Sequence, residues 1–318
     1  MSSLRNLIRN ENMKIYRRPR TWVMICFLLL SIALMSGIMK WDESRSDHSN
    51  WQQNITHQNE QWQKQLQENT EMDSDYKEFI SEEIKINEYY LAEDINPNEL
   101  SLWDYVNNSA NLIMLITILT VIVAADMIAA EFSWGTIKLL LVGPASRTKI
   151  MLSKYIATMG FALLLLLVAF AAAFAAGAGL QGIDGLTQPF LSVGPDGLVH
   201  ESSMIANSLQ KYGYAIVSLL MYVTLSFMIS AAFRSSTMAI AFSLLFMLVG
   251  TSITMLLSSY SWVKYLLFAN IDLTQYIAGS SPIRPEMTLS FSITMLVAYY
   301  VVFQFVSWLL FTRRDVAA

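Results

Sequence analysis

Six long runs of the sequence contain no Asp, Glu, Lys or Arg, and this feature constrains the fold more than any other. The runs cover residues 21–39, 105–125, 155–183, 212–233, 235–263 and 287–312. A bilayer core about 30 Å thick needs roughly 20 apolar helical residues, so each run is long enough to cross a membrane once. Charged residues make up 14% of the chain, against about a quarter in soluble proteins. We therefore predict an all-α membrane protein with six transmembrane helices.

The predicted layout places the six membrane helices between segments that lie outside the lipid. The helices cover residues 22–40, 107–130, 152–180, 212–233, 236–259 and 287–311. The other segments are an interfacial helix at 1–21, a helical domain at 41–106, a loop at 131–151, a loop at 181–211, a re-entrant or interfacial linker at 260–286 and a tail at 312–318. The first run follows basic residues, as a signal peptide does. It is longer than the apolar region of a signal peptide and lacks a clear cleavage site, which favours an uncleaved helix.

The distribution of charge predicts the orientation in the membrane. Six crossings put both termini on one side, and that side, with the 131–151 loop and adjoining helix ends, carries thirteen basic residues and three acids. The opposite side carries eight basic residues and twenty-one acids. Because Lys and Arg are enriched in cytoplasmic loops, both termini are predicted to be cytoplasmic. The net charge of −4 belongs to the outer face and gives no indication of nucleic-acid binding.

The segments on the outer side differ in predicted structure. Apolar residues recur at helical spacing from Trp51 to Leu66 and again from Tyr76 to Tyr90, which predicts a helical hairpin within 41–104. This hairpin is either a solvated cap that joins helices 1 and 2, the interpretation we favour, or a receptor or gate for an exported ligand. The 181–211 loop is rich in Gly and Pro and is predicted to be irregular.

The sequence lacks the common catalytic motifs. It contains no phosphate-binding loop, zinc-protease motif or serine-hydrolase motif, and the single Cys26 excludes an intrachain disulfide. We therefore predict that this chain is not an enzyme and binds neither a cofactor nor a metal. Asp126 is the only acid within a membrane helix, which makes it a candidate proton or ion site. Its position near the cytoplasmic end of helix 2 favours a structural role, in which it reaches water or a lysine.

The segment from Glu131 to Lys154 carries most of the functional information. Gly135 is predicted to break helix 2, residues 136–142 to form a short apolar helix, and Ser146 to cap helix 3 after a turn at 143–144. Basic residues flank the short apolar helix. Its apolar surface needs either a protein partner or the membrane interface to cover it.

This segment resembles the region between helices 2 and 3 of ABC type-2 transporter permeases. The shared pattern is E-F-x-x-G-T-x-K-x-L-L-x-x-P-x-S-R-x-x-I-x-x-S-K, from Glu131 to Lys154. Residues 10–22 are similar to the entry into helix 1 of bacterial members, and the six-span layout with an outer domain after helix 1 is similar as well. The resemblance implies a type V exporter-like permease fold, a bacterial plasma membrane and a dimer with a second permease subunit, identical or related.

The resemblance also implies two copies of a separate ABC ATP-binding subunit, which would bind ATP and Mg²⁺ and couple to the permease through the 131–151 loop. The implied coupling residues are Glu131, Gly135, Thr136, Lys138, Leu140, Pro144, Ser146, Arg147 and Lys149. The apolar face of the loop would enter a cleft of the ATPase, where the basic residues would meet acidic groups.

The cargo is predicted from the membrane helices. They contain almost no charge, and eighteen Met are spread over the chain, which favours an amphipathic or hydrophobic cargo. An antimicrobial peptide, a drug or a lipid fits this description, and antibiotic resistance is the corresponding biological role.

Two other functions stay open. The first is a proton-coupled secondary transporter that uses Asp126, although such proteins usually contain internal repeats and several intramembrane charges, which we do not find in the sequence. The second is a non-transporting membrane immunity or receptor protein, whose 41–104 domain would capture a toxin outside the cell.

Overall fold

A computed structural model describes residues 3–45, 50–69, 74–138, 145–183, 189–194, 196–277 and 280–313. The helices are α1 (Leu4–Tyr16), α2 (Pro19–Arg45), α3 (Trp51–Glu68), α4 (Ser74–Ala92), α5 (Leu102–Ser109), α6 (Ile113–Ser133), α7 (Arg147–Gln181), α8 (Met204–Ala232), α9 (Ser236–Leu256), α10 (Leu267–Asn270) and α11 (Leu289–Arg313). Short 3-10 helices cover Ala110–Leu112, Ser261–Tyr265 and Leu273–Tyr276, and the strands are β1 (Pro189–Val193) and β2 (Val199–Ser203).

Six helical stretches are long and apolar enough to cross a membrane. They are α2, the continuous stretch Leu102–Ser133 that contains α5 and α6, α7, α8, α9 and α11. The chain is therefore an α-helical, multi-pass membrane protein with six candidate spans, as predicted. Several helices extend beyond their predicted bounds: α2 continues to Arg45, and α8 begins at Met204. The sequence predicts the end of each span from its first charged residues, whereas a helix can continue past the edge of the lipid.

Helices α6 and α8 form the centre of the bundle. In their most apolar windows, 67% of the Leu102–Ser133 residues and 61% of the α8 residues are buried, against 17% for α2 and 11% for α11. Ile116, Leu165 and Leu219 are fully buried members of one core formed largely by α6, α7 and α8. The peripheral helices expose apolar side chains, as expected for surfaces that face lipid.

Helix α7 packs closely against α5 at one glycine. A Cβ atom placed on Gly177 would lie 2.8 Å from the backbone oxygen of Leu102, closer than side chains normally approach. Ala173, one turn earlier on α7, is fully buried. Contacts within the chain therefore account for the small residues at these two positions.

The spans divide the molecule into two ends. The terminus side contains α1, the end of α11 and the turn between α8 and α9, and the hairpin side contains α3, α4 and the two strands. On the hairpin side, α3 and α4 pack around Ile55, Ile80 and Ile84, and Asn87 donates a 2.8 Å hydrogen bond to Asn59 between them. The helical hairpin predicted from the sequence is present. Phe79 is 52% exposed and lies outside the hairpin core.

The 181–211 segment contains a β-hairpin where the sequence predicts an irregular loop. Strands β1 and β2 pair antiparallel, with Pro189 opposite Ser203 and Val193 opposite Val199. Gly197 occupies the turn with a φ of +73°, a conformation that glycine adopts without steric cost. Tyr89 of α4 donates a 2.9 Å hydrogen bond to Glu201, so the β-hairpin is attached to the helical hairpin.

The linker between α9 and α11 forms three short helical turns, at Ser261–Tyr265, Leu267–Asn270 and Leu273–Tyr276. Asn270 is fully buried at its centre. Its amide donates 2.7 Å hydrogen bonds to the backbone oxygens of Lys264 and Leu266, and its oxygen accepts a 2.7 Å hydrogen bond from Ser292 of α11. These bonds satisfy backbone groups that a non-helical chain would otherwise leave unpaired.

Candidate functional site

A buried group of charged side chains lies on the terminus side, where the 131–151 loop leaves the bundle. The ammonium group of Lys154 on α7 lies 2.9 Å from Glu11 of α1 and 2.8 Å from Glu131 of α6. Lys14 of α1 lies 3.1 Å from Glu11 and 2.9 Å from Glu131. The side chain of Lys154 is only 1% exposed. We call Glu11, Lys14, Glu131 and Lys154 the Lys154 cluster.

The Lys154 cluster joins three helices through balanced charges. Removing one partner of a buried ion pair costs about 3–5 kcal/mol, because it leaves the other charge buried and uncompensated. Burial alone lowers the pKa of Lys14, but the hydrogen bonds and charges of Glu131 and Glu11 outweigh this effect and raise the pKa above its ordinary value. Lys14 is therefore cationic at physiological pH, and the cluster attaches α1 to the ends of α6 and α7.

The 131–151 loop begins in contact with the Lys154 cluster. The hydroxyl group of Thr136 donates a hydrogen bond to the carboxylate of Glu131. Gly135 has a φ of +70°, which permits the chain to turn at the end of α6. Ile137 is 4% exposed and belongs to the same buried core as Ile150 of α7. The first residues of the loop are therefore fixed against the bundle.

A second charged group surrounds Asp126 of α6, whose side chain is 3% exposed. Arg18 lies 2.6 Å from its carboxylate, and Arg20 and Ser236 also donate hydrogen bonds to it. The guanidinium group of Arg18 lies 4.7 Å from the centre of the Trp134 ring. The sequence predicts water or a lysine as the partner of Asp126. Its partners are two arginines and a serine instead, because the junction between α1 and α2 packs against α6.

The other predicted coupling residues fall into different environments. Lys138 and Lys149 are exposed. Ser146 accepts a hydrogen bond from the backbone N–H of Lys149 and caps α7, as predicted. Arg147 donates a 2.8 Å hydrogen bond to the backbone oxygen of Thr312 and so contacts the end of α11. Two predicted residues lie outside the described part of the chain, Leu140 and Pro144.

Sequence reasoning missed several residues that shape this end of the molecule. They are Glu11, Lys14, Arg18, Arg20, Lys154 and Ser236. One signal was available, because only three acids accompany thirteen basic residues on the terminus side, and two of the three belong to the Lys154 cluster. The pairing itself depends on the fold, since Glu11 and Lys154 are 143 positions apart.

The hairpin side contains a cavity of about 1010 Å³. It lies between α4, β1, the α5–α6 stretch, α8, α9 and the linker that follows α9. No group of three or more His, Cys, Asp or Glu side chains within the described residues is arranged to hold a metal ion.

Comparison with known proteins identifies relatives over nearly the whole chain. Residues 72–317 match a family described as a protein of unknown function (DUF2705). The uncharacterized protein YhcI of Bacillus subtilis (strain 168) is 38% identical over 315 residues, which cover 98% of this chain and 99% of the relative. The uncharacterized membrane protein YdbK of the same organism is 28% identical over 214 residues, which cover 67% of this chain and 82% of the relative. The chain belongs to the DUF2705 family.

Proposed function

We propose that this chain is the transmembrane permease subunit of an ATP-driven ABC exporter. The observation that carries the proposal is the attachment of the 131–151 loop to the Lys154 cluster, which joins the start of the loop to α1, α6 and α7. A loop attached in this way transmits a displacement to three helices at once. A coupling element between an ATPase and a membrane path needs this property, and the resemblance of the Glu131 to Lys154 segment supports the same function.

The proposed partner is a pair of ABC ATP-binding subunits. Lys138 and Lys149 are exposed on either side of the apolar sequence 139–142, so the loop is complementary to an apolar cleft with acidic edges. The sequence has no phosphate-binding loop, and ATP and Mg²⁺ would be bound by the partner. Approach of the two ATP-binding subunits would then move two permease subunits as rigid bodies.

In the proposed orientation, the terminus side faces the cytoplasm of a bacterium and the hairpin side faces outward. The excess of Lys and Arg on the terminus side supports this orientation. Helix α1 exposes Arg5 and Arg9 there, and such a helix is suited to the anionic headgroups of the plasma membrane. The proposed cargo is an amphipathic or hydrophobic compound, in agreement with the nearly uncharged spans.

The test begins with purification of the tagged protein from its native membrane in mild detergent. We expect a partner with a phosphate-binding loop in equal copy number. Lys138→Glu and Lys149→Glu should each weaken the association, because they place a negative charge opposite the acidic groups of the proposed cleft. Lys64→Glu is the matched control, because Lys64 is exposed on α3 at the opposite end of the molecule.

The outcomes separate the three candidate functions. Absence of such a partner, or full association of both loop variants, would contradict the exporter. Loss of transport in Asp126→Asn with normal stability and partner binding would favour the proton-coupled transporter, although the two arginine partners of Asp126 support a structural role. Loss of toxin protection after deletion of residues 45–100, without an effect on ATPase coupling, would favour the immunity or receptor protein.

A further inference from the structure

The cavity on the hairpin side is not used by the proposed coupling to an ATPase. Its volume of about 1010 Å³ lies at the upper end of the range of about 300–1,000 Å³ for pockets that bind drug-sized ligands. Its wall extends along the α5–α6 stretch from Asn107 to Thr117, a distance of about 15 Å at a helical rise of roughly 1.5 Å per residue. The cavity therefore reaches from the helical hairpin into the apolar part of the bundle.

One part of the cavity lining is apolar and adaptable. It includes Met114 of α6, Tyr222 of α8, Met247 and Met255 of α9, and Phe268 of α10. Methionine side chains are flexible and polarizable, so they adjust to apolar ligands of different shapes. Aromatic rings in the same wall also offer faces on which an organic cation can lie.

The cavity also has acidic lining residues, and we call the part lined by them its mouth. Glu82 and Glu83 of α4 and Asp272 of the linker line it, together with one basic residue, Lys211. In the described part of the chain, neither Glu82 nor Glu83 forms an ion pair with a Lys or Arg. Burial and the neighbouring charge of Glu82 raise the pKa of Glu83. Two adjacent carboxylates thus line the cavity without an ion pair among the described residues, and Lys211 is the one basic residue in the same lining.

We infer that this cavity binds an amphipathic cation, with its positive charge beside Glu82 and Glu83 and its apolar body against the methionine wall. A ligand of this kind supplies the missing charge and covers the apolar surface. The excess of acids on the hairpin side would also attract cations toward the mouth. The inference adds a charge to the proposed cargo and, in that respect, rests on the proposed function. Binding itself is a property of this chain alone.

The test compares two probes of nearly equal shape and opposite charge. Tetraphenylphosphonium and tetraphenylborate are titrated into the purified chain in an uncharged detergent, and heat is measured calorimetrically. We expect saturable 1:1 binding of the phosphonium cation and none of the borate anion. The double variant E82Q/E83Q should bind the cation about tenfold more weakly, which corresponds to about 1.4 kcal/mol. Saturable binding of both probes, no saturable binding of the cation, or an unchanged Kd in E82Q/E83Q would overturn the inference.

Two further variants show whether any change arises at the cavity. E88Q/E93Q neutralises two exposed acids, one near the C-terminal end of α4 and one just after it. It should leave the Kd unchanged, because neither residue lines the cavity. Met114→Trp narrows the cavity and should also weaken binding, while its unfolding temperature confirms that it is folded. If E88Q/E93Q and E82Q/E83Q weakened cation binding equally, general surface charge would explain the effect, and the inferred site would be wrong.

The cation site and the exporter function can each be contradicted independently of the other. Cation binding without a co-purified ATP-binding subunit would support the site and contradict the exporter. Co-purification of that subunit without cation binding would support the exporter and contradict the site.

Discussion

The ammonium group of Lys154 lies 2.8 Å from a carboxylate oxygen of Glu131, at the point where α6 approaches its end. The same ammonium group lies 2.9 Å from Glu11 of α1. A lysine that is 1% exposed stays charged at low cost only where carboxylates compensate it. Helix α1 is therefore part of the bundle, and a force on the end of α6 reaches it directly.

Replacement of Lys154 by methionine should strongly destabilise the protein. Lys154→Met leaves Lys14 as the one cationic partner that the described residues offer to Glu11 and Glu131, and we expect the free energy of unfolding to fall by about 3–5 kcal/mol. Thermal unfolding in detergent measures the change. Lys149→Met is the matched control on the same helix, and as an exposed position it should change stability by no more than about 0.5 kcal/mol.

The double variant Lys154→Met/Glu131→Gln tests the cause of that loss. It restores the charge balance between Glu11 and Lys14, so it should be more stable than Lys154→Met alone. A double variant that is less stable than Lys154→Met would show that the contacts of Glu131 with Lys14 and Thr136 outweigh the cost of its uncompensated charge.

Asp126→Asn should also lower stability, because it leaves Arg18 and Arg20 beside a neutral amide. Both arginines retain some contact with solvent, so we expect a loss of about 2–3 kcal/mol, less than the loss of about 3–5 kcal/mol for a fully buried ion pair. A cycle with Arg20→Gln measures the pairwise coupling, which should lie between about 0.5 and 3 kcal/mol. A coupling near zero would mean that Asp126 is stabilised by Ser236 and its surroundings, and not by the arginine.

The sequence predicts those features that depend on local composition. The spans follow from the charge-free runs, and the cap of α7 follows from Ser146 because capping requires only a few neighbouring residues. Three of the partners lie more than 100 positions away, and no local pattern specifies them: Arg18 and Arg20 contact Asp126, and Glu11 contacts Lys154. The approach of distant helices determines those contacts.

The β-hairpin illustrates a second limit. Strand β2 is exposed at four of its five positions, so it lacks the alternation of apolar and polar residues by which strands are recognised. Strand β1 begins with Pro189, a residue that is unfavourable within a strand and tolerated at its first position. The pairing is favoured by the turn at Gly197 and by contact with α4, which the sequence pattern does not reveal.

Glu83→Gln should stabilise the protein at neutral pH. Burial and the charge of Glu82 raise the pKa of Glu83 in the folded state above its ordinary value of 4.5. The folded state thus binds the proton more tightly, and the carboxylate costs stability once the pH rises through the folded pKa. Because the side chain is partly solvated, we expect a gain of about 0.5 kcal/mol or less.

The pH dependence identifies the source of that gain. The difference in unfolding temperature between Glu83→Gln and the unaltered protein should be present at pH 7 and shrink as the pH falls toward 4.5, where Glu83 is increasingly protonated. Glu88→Gln, an exposed position on the same helix, is the control and should show no such trend. A difference that is constant over this range would assign the gain to helix propensity.

Replacement by alanine should change the free energy of unfolding in opposite directions at two glycines of α7. A Cβ atom on Gly177 would lie 2.8 Å from the backbone oxygen of Leu102, so Gly177→Ala should cost about 1–3 kcal/mol of stability. No atom lies within 4 Å of a Cβ placed on Gly179, and Gly179→Ala should stabilise the helix by about 0.5–1 kcal/mol. Thermal unfolding of both variants over a range of protein concentrations provides the test. If Gly177 packs only within the chain, its loss of stability is independent of concentration, whereas a contact between two permease copies would make it vary with concentration.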